Sequence, residues 1–182
     1  MRALTQEQIH TALGRLGNGP ERYACLQERF QRCNVATDRE FQTIFNGFYR
    51  VRRNLSWRSD YYELMESSKE SGIEFPQALR EIARRTNRIE ASFASKLVAT
   101  IDPSKPVIDK FVLENFGLRL PRRGVSDREA RTIDVYKALC QTYEDYLRGP
   151  TGTLILKLFD RRFPDLNLTD LKKTDLVLWQ VR

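Results

Sequence analysis

Histidine is almost missing from this chain. The one copy, His10, lies on an N-terminal segment of helical pattern, where an exposed or half-buried ring is expected. Without a second imidazole there is little room for a Ser-His-Asp or Cys-His engine, so proton chemistry would fall to carboxylates, lysine or tyrosine. Cysteine is scarce too: Cys25, Cys33 and Cys140 are odd in number and scattered, which excludes a CxxC-type zinc site and the four thiolates of an iron-sulfur cluster. They read as reduced, partly buried thiols. No apolar run approaches the ~20 residues of a membrane-spanning helix. The sequence turns polar by Gln6 and Glu7, with no signal-peptide core. A cytoplasmic protein with no membrane partner is expected. Also absent are the phosphate loops GxxxxGK[ST] and GxGxxG, the GxSxG elbow and HExxH.

What is present is the composition of a globular domain, 41% hydrophobic and 30% charged over 182 residues, so a single domain spanning 1–182 is expected. Lysine and arginine exceed the acids by seven charges, an excess that favours polyanions through counterion release. The arginines fall in groups: Arg50, Arg52 and Arg53; Arg84, Arg85 and Arg88; Arg119 to Arg123; Arg161 and Arg162. Each group sits at or near the end of a predicted helix, where several ends on one face would make a phosphate-binding stripe.

Apolar residues recur at three- and four-residue spacing nearly throughout, and no stretch alternates with period two. The fold class is therefore all-α, a compact single-domain bundle of about ten helices. Thr5 caps a first helix that ends at Gly17-Asn18-Gly19, and Pro20 opens a second reaching about Cys33. Thr37-Asp38-Arg39-Glu40 has capping-box spacing and opens a third, with Phe41, Ile44, Phe45, Phe48 and Val51 on one face. Further helices are read from Trp57 to before Gly72, from Pro76 to the polar corner 84–88, from Glu90 to about Thr100, and from Val107 to Phe116 with Gly117 as C-cap. Ser126-Asp127-Arg128-Glu129 reads as a second capping box, opening the longest helix, which stops at Gly149-Pro150. Segments from Leu154 to Arg162 and from Thr169 to Gln180 complete the set.

One stretch carries a more particular signal. Ala91, Ser92, Ala94, Ser95 and Ala99 make a small-residue helix able to approach a neighbour closely. Asp102-Pro103-Ser104-Lys105-Pro106 then breaks it, since proline lacks a donor and disfavours helix before it. Next comes Val107-Ile108-Asp109-Lys110-Phe111-Val112, placing Asp109 in the first turn of the following helix, and the stretch closes with Phe116-Gly117-Leu118. Over these thirty or so residues the chain resembles the helix-hairpin-helix DNA glycosylase superfamily, as a divergent member.

The resemblance implies a monofunctional base-excision glycosylase, monomeric and without metal or organic cofactor, acting on duplex DNA with the target base flipped out. Asp109 would stabilise the oxocarbenium-like transition state, and Glu90 would be a second active-site carboxylate or a solvent-facing helix start. The glycine-rich turn of the family is replaced by Arg84-Arg85-Thr86-Asn87-Arg88-Ile89, so phosphate contacts would fall to Arg84, Arg85 and Arg88, joined by Arg50, Lys96 and Lys105. Glu90 stands where lyase members carry lysine, which disfavours Schiff-base chemistry. Asn46, Tyr49 and Arg53 are candidate base-pocket residues because aromatics interleaved with arginines suit a stacked base. Trp179 either joins them or fills the core. The target base is unreadable from sequence, and a non-enzymatic nucleic-acid-binding protein on the same scaffold is the alternative.

Overall fold

The computed structural model describes residues 3–181, and among these ten helices and no strand are found. They form two compact units, one of Asn18–Asp102 and one assembled from both ends of the chain, up to Gly17 and from Pro103 onward. The chain passes between them at 17/18 and 102/103, within short helix-to-helix turns.

The central unit holds α2 (Gly19–Arg32), α3 (Arg39–Tyr49), α4 (Leu55–Ser67), α5 (Phe75–Thr86) and α6 (Ala91–Ile101). Of the third-helix face read from sequence, Phe41 and Phe45 are 0% exposed and Phe48 is buried, Ile44 is half-buried, and Val51 falls beyond the helix, which ends at Tyr49. Phe41 and Phe45 mesh edge-on with Tyr62 and lie close to Phe30, Tyr49 and Tyr61. Such offset and edge-to-face pairs add to the area term of aromatic burial. Two of the buried hydroxyls are matched, Tyr61 donating to the Phe93 carbonyl at 3.0 Å and Tyr62 to Asn46 Oδ1 at 2.9 Å, which ties α4 to α6 and to α3. The small residues of α6 do let it pack on α5; Ala94 and Ala99 are completely buried. Asn87 links the two helices in the left-handed conformation, φ 54°, a role usually filled by glycine and open to asparagine.

The other unit holds α1 (Gln6–Arg15), α7 (Lys110–Phe116), α8 (Arg128–Arg148), α9 (Pro150–Arg162) and α10 (Asp170–Gln180). Thr5 closes a full capping box with Gln8. The last helix packs on all four others and is buried nearly all round, Thr174 to Leu178 inclusive.

Four helix starts differ from the sequence reading. Thr37 spends its groups on a turn with the Asn34 carbonyl, and Asp38, clamped by Arg29 at 2.8 Å, caps α3 instead through Phe41 N–H. Asp127 is left-handed, φ 55°, and no side chain caps α8, so the expected box at 126–129 does not close. Val107 and Ile108 are buried ahead of α7, which begins only at Lys110; Asp109 is its N-cap rather than part of its first turn. Pro150 starts α9 directly after α8, four residues earlier than expected, as proline at a first helical position permits. Of the thiols, Cys25 is exposed while Cys33 and Cys140 are half-buried, and none of the three is in a disulfide.

Candidate nucleic-acid interface

The central unit brings two arginine groups together. After α3 the chain turns at Arg50, left-handed at φ 53°, and runs without helix to Asn54, whose side chain caps α4 by accepting from Trp57 N–H at 3.0 Å. This short connection lies opposite the α5–α6 turn, and between them is a concavity of about 400 Å³ whose lining includes Arg52, Arg53, Trp57, Arg85, Arg88 and Glu90. Asp60 is the second carboxylate there, so four guanidinium groups face two acids.

Two of the four arginines are fixed. Arg53 Nη2 donates to Glu90 Oε1 at 2.6 Å, with side chains 30% and 14% exposed, and its guanidinium lies 5.7 Å from the Trp57 ring centroid and 5.2 Å from that of Phe93. Held by a carboxylate and two aromatic rings, it has little rotamer freedom left to lose on binding. Arg85 donates to the Asp60 backbone carbonyl at 3.3 Å and lies 3.9 Å from Glu81 and 4.0 Å from Glu63. Arg52 and Arg88 are exposed, and no carboxylate among the described residues pairs with either.

Three donors in this lining are buried yet make no hydrogen bond: Arg53 Nε, Trp57 Nε1 and Arg85 Nε. Buried donors are nearly always satisfied, so three around one concavity mark a place short of acceptors. A second, larger concavity of about 720 Å³ runs along α3 and the start of α4, lined by Arg39, Gln42, Asn46, Arg58 and Ser59 among others. Ser56 borders both.

Of the residues singled out from sequence, Arg53, Arg85, Arg88 and Glu90 meet in the first concavity, and Asn46 lines the second. Arg84 stays outside, paired with Glu81 at 2.9 Å. Arg50 is exposed. Tyr49 is 5% exposed, its ring against Phe45 and Phe48, and so belongs to the core. Lys96 donates to Ser92 Oγ at 2.8 Å and lies over Phe93 and Tyr49. Asp109, Lys105 and Trp179 belong to the other unit, all three half-buried. Asp109 Oδ1 accepts from Phe111 N–H at 2.8 Å.

Sequence reasoning placed Arg52 only in a basic group at a helix end and gave Trp57 and Arg58 no part in a site. The arginine run after α3 with tryptophan four residues past Arg53 was the available signal, since that spacing lets the two side chains meet. It also missed a buried trio in the other unit. Lys172 Nζ meets Asp175 Oδ2 at 2.8 Å with 1% and 7% of their side chains exposed, and Tyr143 donates to Asp175 Oδ1 at 2.9 Å. Burial, followed by the Asp175 carboxylate, pushes the Tyr143 hydroxyl well above its ordinary range. Comparison of the chain with protein-family models, curated proteins and solved structures finds no match in any of the three.

Proposed function

We propose that this chain binds DNA through the arginine-bearing α3–α4 connection and α5–α6 turn, and that it removes a damaged or modified base by monofunctional hydrolysis, with Asp109 as the charge-stabilising carboxylate. The observation that carries the reading is the α5–α6 hairpin, whose left-handed Asn87 stands where the family places glycine. It is flanked by Arg85 and Arg88 at a concavity rich in donors. Breaking an N-glycosidic bond builds positive charge on the sugar, which a nearby ionised carboxylate stabilises.

Incubating the protein with duplexes carrying a panel of modified bases, followed by alkaline cleavage at abasic sites, tests the chemistry. Asp109→Asn keeps an N-capping side chain, so stability should move by no more than about 1 kcal/mol. Excision should fall roughly a hundredfold or more as the counter-charge is lost. A variant as active as the parent would rule Asp109 out of the reaction.

One observation favours the non-enzymatic alternative: Asp109 already caps α7 through Phe111 N–H, an ordinary employment for a helix-start aspartate. Tight duplex binding with no excision on any substrate of the panel would select that reading.

A further inference from the structure

The geometry points to the 400 Å³ concavity of the central unit as a discrete phosphate-binding site, made by Arg52, Arg53, Arg85 and Arg88 beside the Trp57 ring. It is a site for an oxyanion and not for a base. The Trp57 ring is stacked on Tyr61 at 4.9 Å with 17° between planes, lies 4.5 Å from the Phe93 ring, and carries Arg53 above it. Its faces are thus taken and its Nε1 is buried, so the ring reports on the site as a neighbour and does not hold the ligand.

The unsatisfied groups named above are all donors, whereas a base edge would ask for donors and acceptors in alternation. Phosphate offers acceptors alone, and the fork of guanidinium matches it two bonds at a time. The two acids do not spoil the site: the charge of Glu90 is spent on Arg53 at 2.6 Å, and Asp60 still leaves Arg52, Arg85 and Arg88 in excess. The pairing with Glu90 holds the Arg53 guanidinium in place, while Arg52 and Arg88, unpaired and exposed, supply mobile charge at the mouth. The site stands independently of base excision. It serves equally a phosphomonoester, such as a 5′-phosphorylated strand end, and a backbone phosphodiester.

The two tryptophans of the chain give two indole N–H resonances in a ¹⁵N-labelled sample of the full chain, assigned by Trp57→Phe. Inorganic phosphate, added at constant ionic strength against chloride, should move the Trp57 resonance saturably and leave that of Trp179 in place. A short 5′-phosphorylated oligonucleotide should do the same at lower concentration. If the matching 5′-hydroxyl oligonucleotide acts as strongly, the site takes diesters; if it acts weakly, the site takes monoesters.

Arg52→Ala with Arg88→Ala removes only exposed side chains and should weaken phosphate binding about tenfold or more. Arg53→Ala is avoided, since it would strand Glu90. A Trp57 resonance that ignores phosphate and both oligonucleotides, or moves as much with chloride, would overturn the assignment. So would a double variant binding like the parent. The excision panel reads out separately, so loss of either conclusion leaves the other testable.

Discussion

At the scale of single residues, the physical context of a side chain decides its worth more than its type. Asp175 and Lys172 are buried together, so Asp175→Asn would strand an ammonium in the interior and should cost about 3–5 kcal/mol. Replacing both with similarly sized apolar residues should restore most of that stability, although Tyr143 then loses an acceptor. Denaturant melts of the single and double variants check this, and a single variant as stable as the parent would show the pair to be well hydrated. Glycines diverge in the same way. A Cβ on Gly152 would collide with the Tyr146 carbonyl oxygen and lie 2.8 Å from Leu147 Cα. Both are backbone atoms unable to step aside, so Gly152→Ala should destabilise by about 1–3 kcal/mol or more. Gly14, with open space around its would-be Cβ, should accept alanine with a gain of about 0.5–1 kcal/mol.

Among the helices, starts and stops carry the comparison between sequence and structure. The apolar periodicity of α3 was legible at Phe41, Phe45 and Phe48, which share one face at i, i+4, i+7, but not its end, since Arg50 turns left-handed before Val51. The left-handed Gly117 at the end of α7 was legible too. The cap of α3 was off by one residue because two neighbours, Thr37 and Asp38, both suit the position, and the tie-breaker is Arg29 from another helix. The failed box before α8 has the same origin: its spacing was right, but the left-handed turn at Asp127 is set by the loop ahead of it. The arginine concavity was legible as two basic groups but not as one site, since only folding brings residues 52–53 to 85–88.

The Asp38 cap also carries a pH signature. The Arg29 guanidinium, and after it the Phe41 N–H, hold the Asp38 carboxyl below its ordinary value. A depressed folded-state value means the contribution is fully present above the unfolded value of about 3.9 and lost as pH falls through the folded one. The gap in melting temperature between the parent and Asp38→Ala should therefore be widest at neutral pH and close in acid. A gap independent of pH would show that the carboxylate charge does nothing for α3.

Across the whole molecule, the sequence offered no composition shift to mark two units, because the chain crosses between them inside ordinary turns such as Asp102-Pro103. Charge is the property that belongs at this scale. On the proposed DNA-binding reading, an excess of seven cations predicts that duplex affinity, followed by fluorescence anisotropy, drops steeply from low to physiological salt, each phosphate contacted adding about 0.9 to the logarithmic slope. Replacing Arg84, Arg85 and Arg88 together by alanine should weaken binding to all sequences alike and flatten that slope. A flat response in the parent would dismiss electrostatics as the source of affinity.

The joining of α1 to α9 and α10 in one unit has a consequence for synthesis. On the ribosome, α1 is made before the helices it packs on: its Arg15 bonds the carbonyl of Gln180, and its Ile9 and Leu13 are buried in a unit whose other helices follow the Asn18–Asp102 stretch. At roughly 5–20 residues per second those side chains wait on the order of ten seconds for their partners. The contiguous Asn18–Asp102 unit is made whole in the meantime. The nascent chain therefore holds the apolar face of α1 without its partners until α9 and α10 are made.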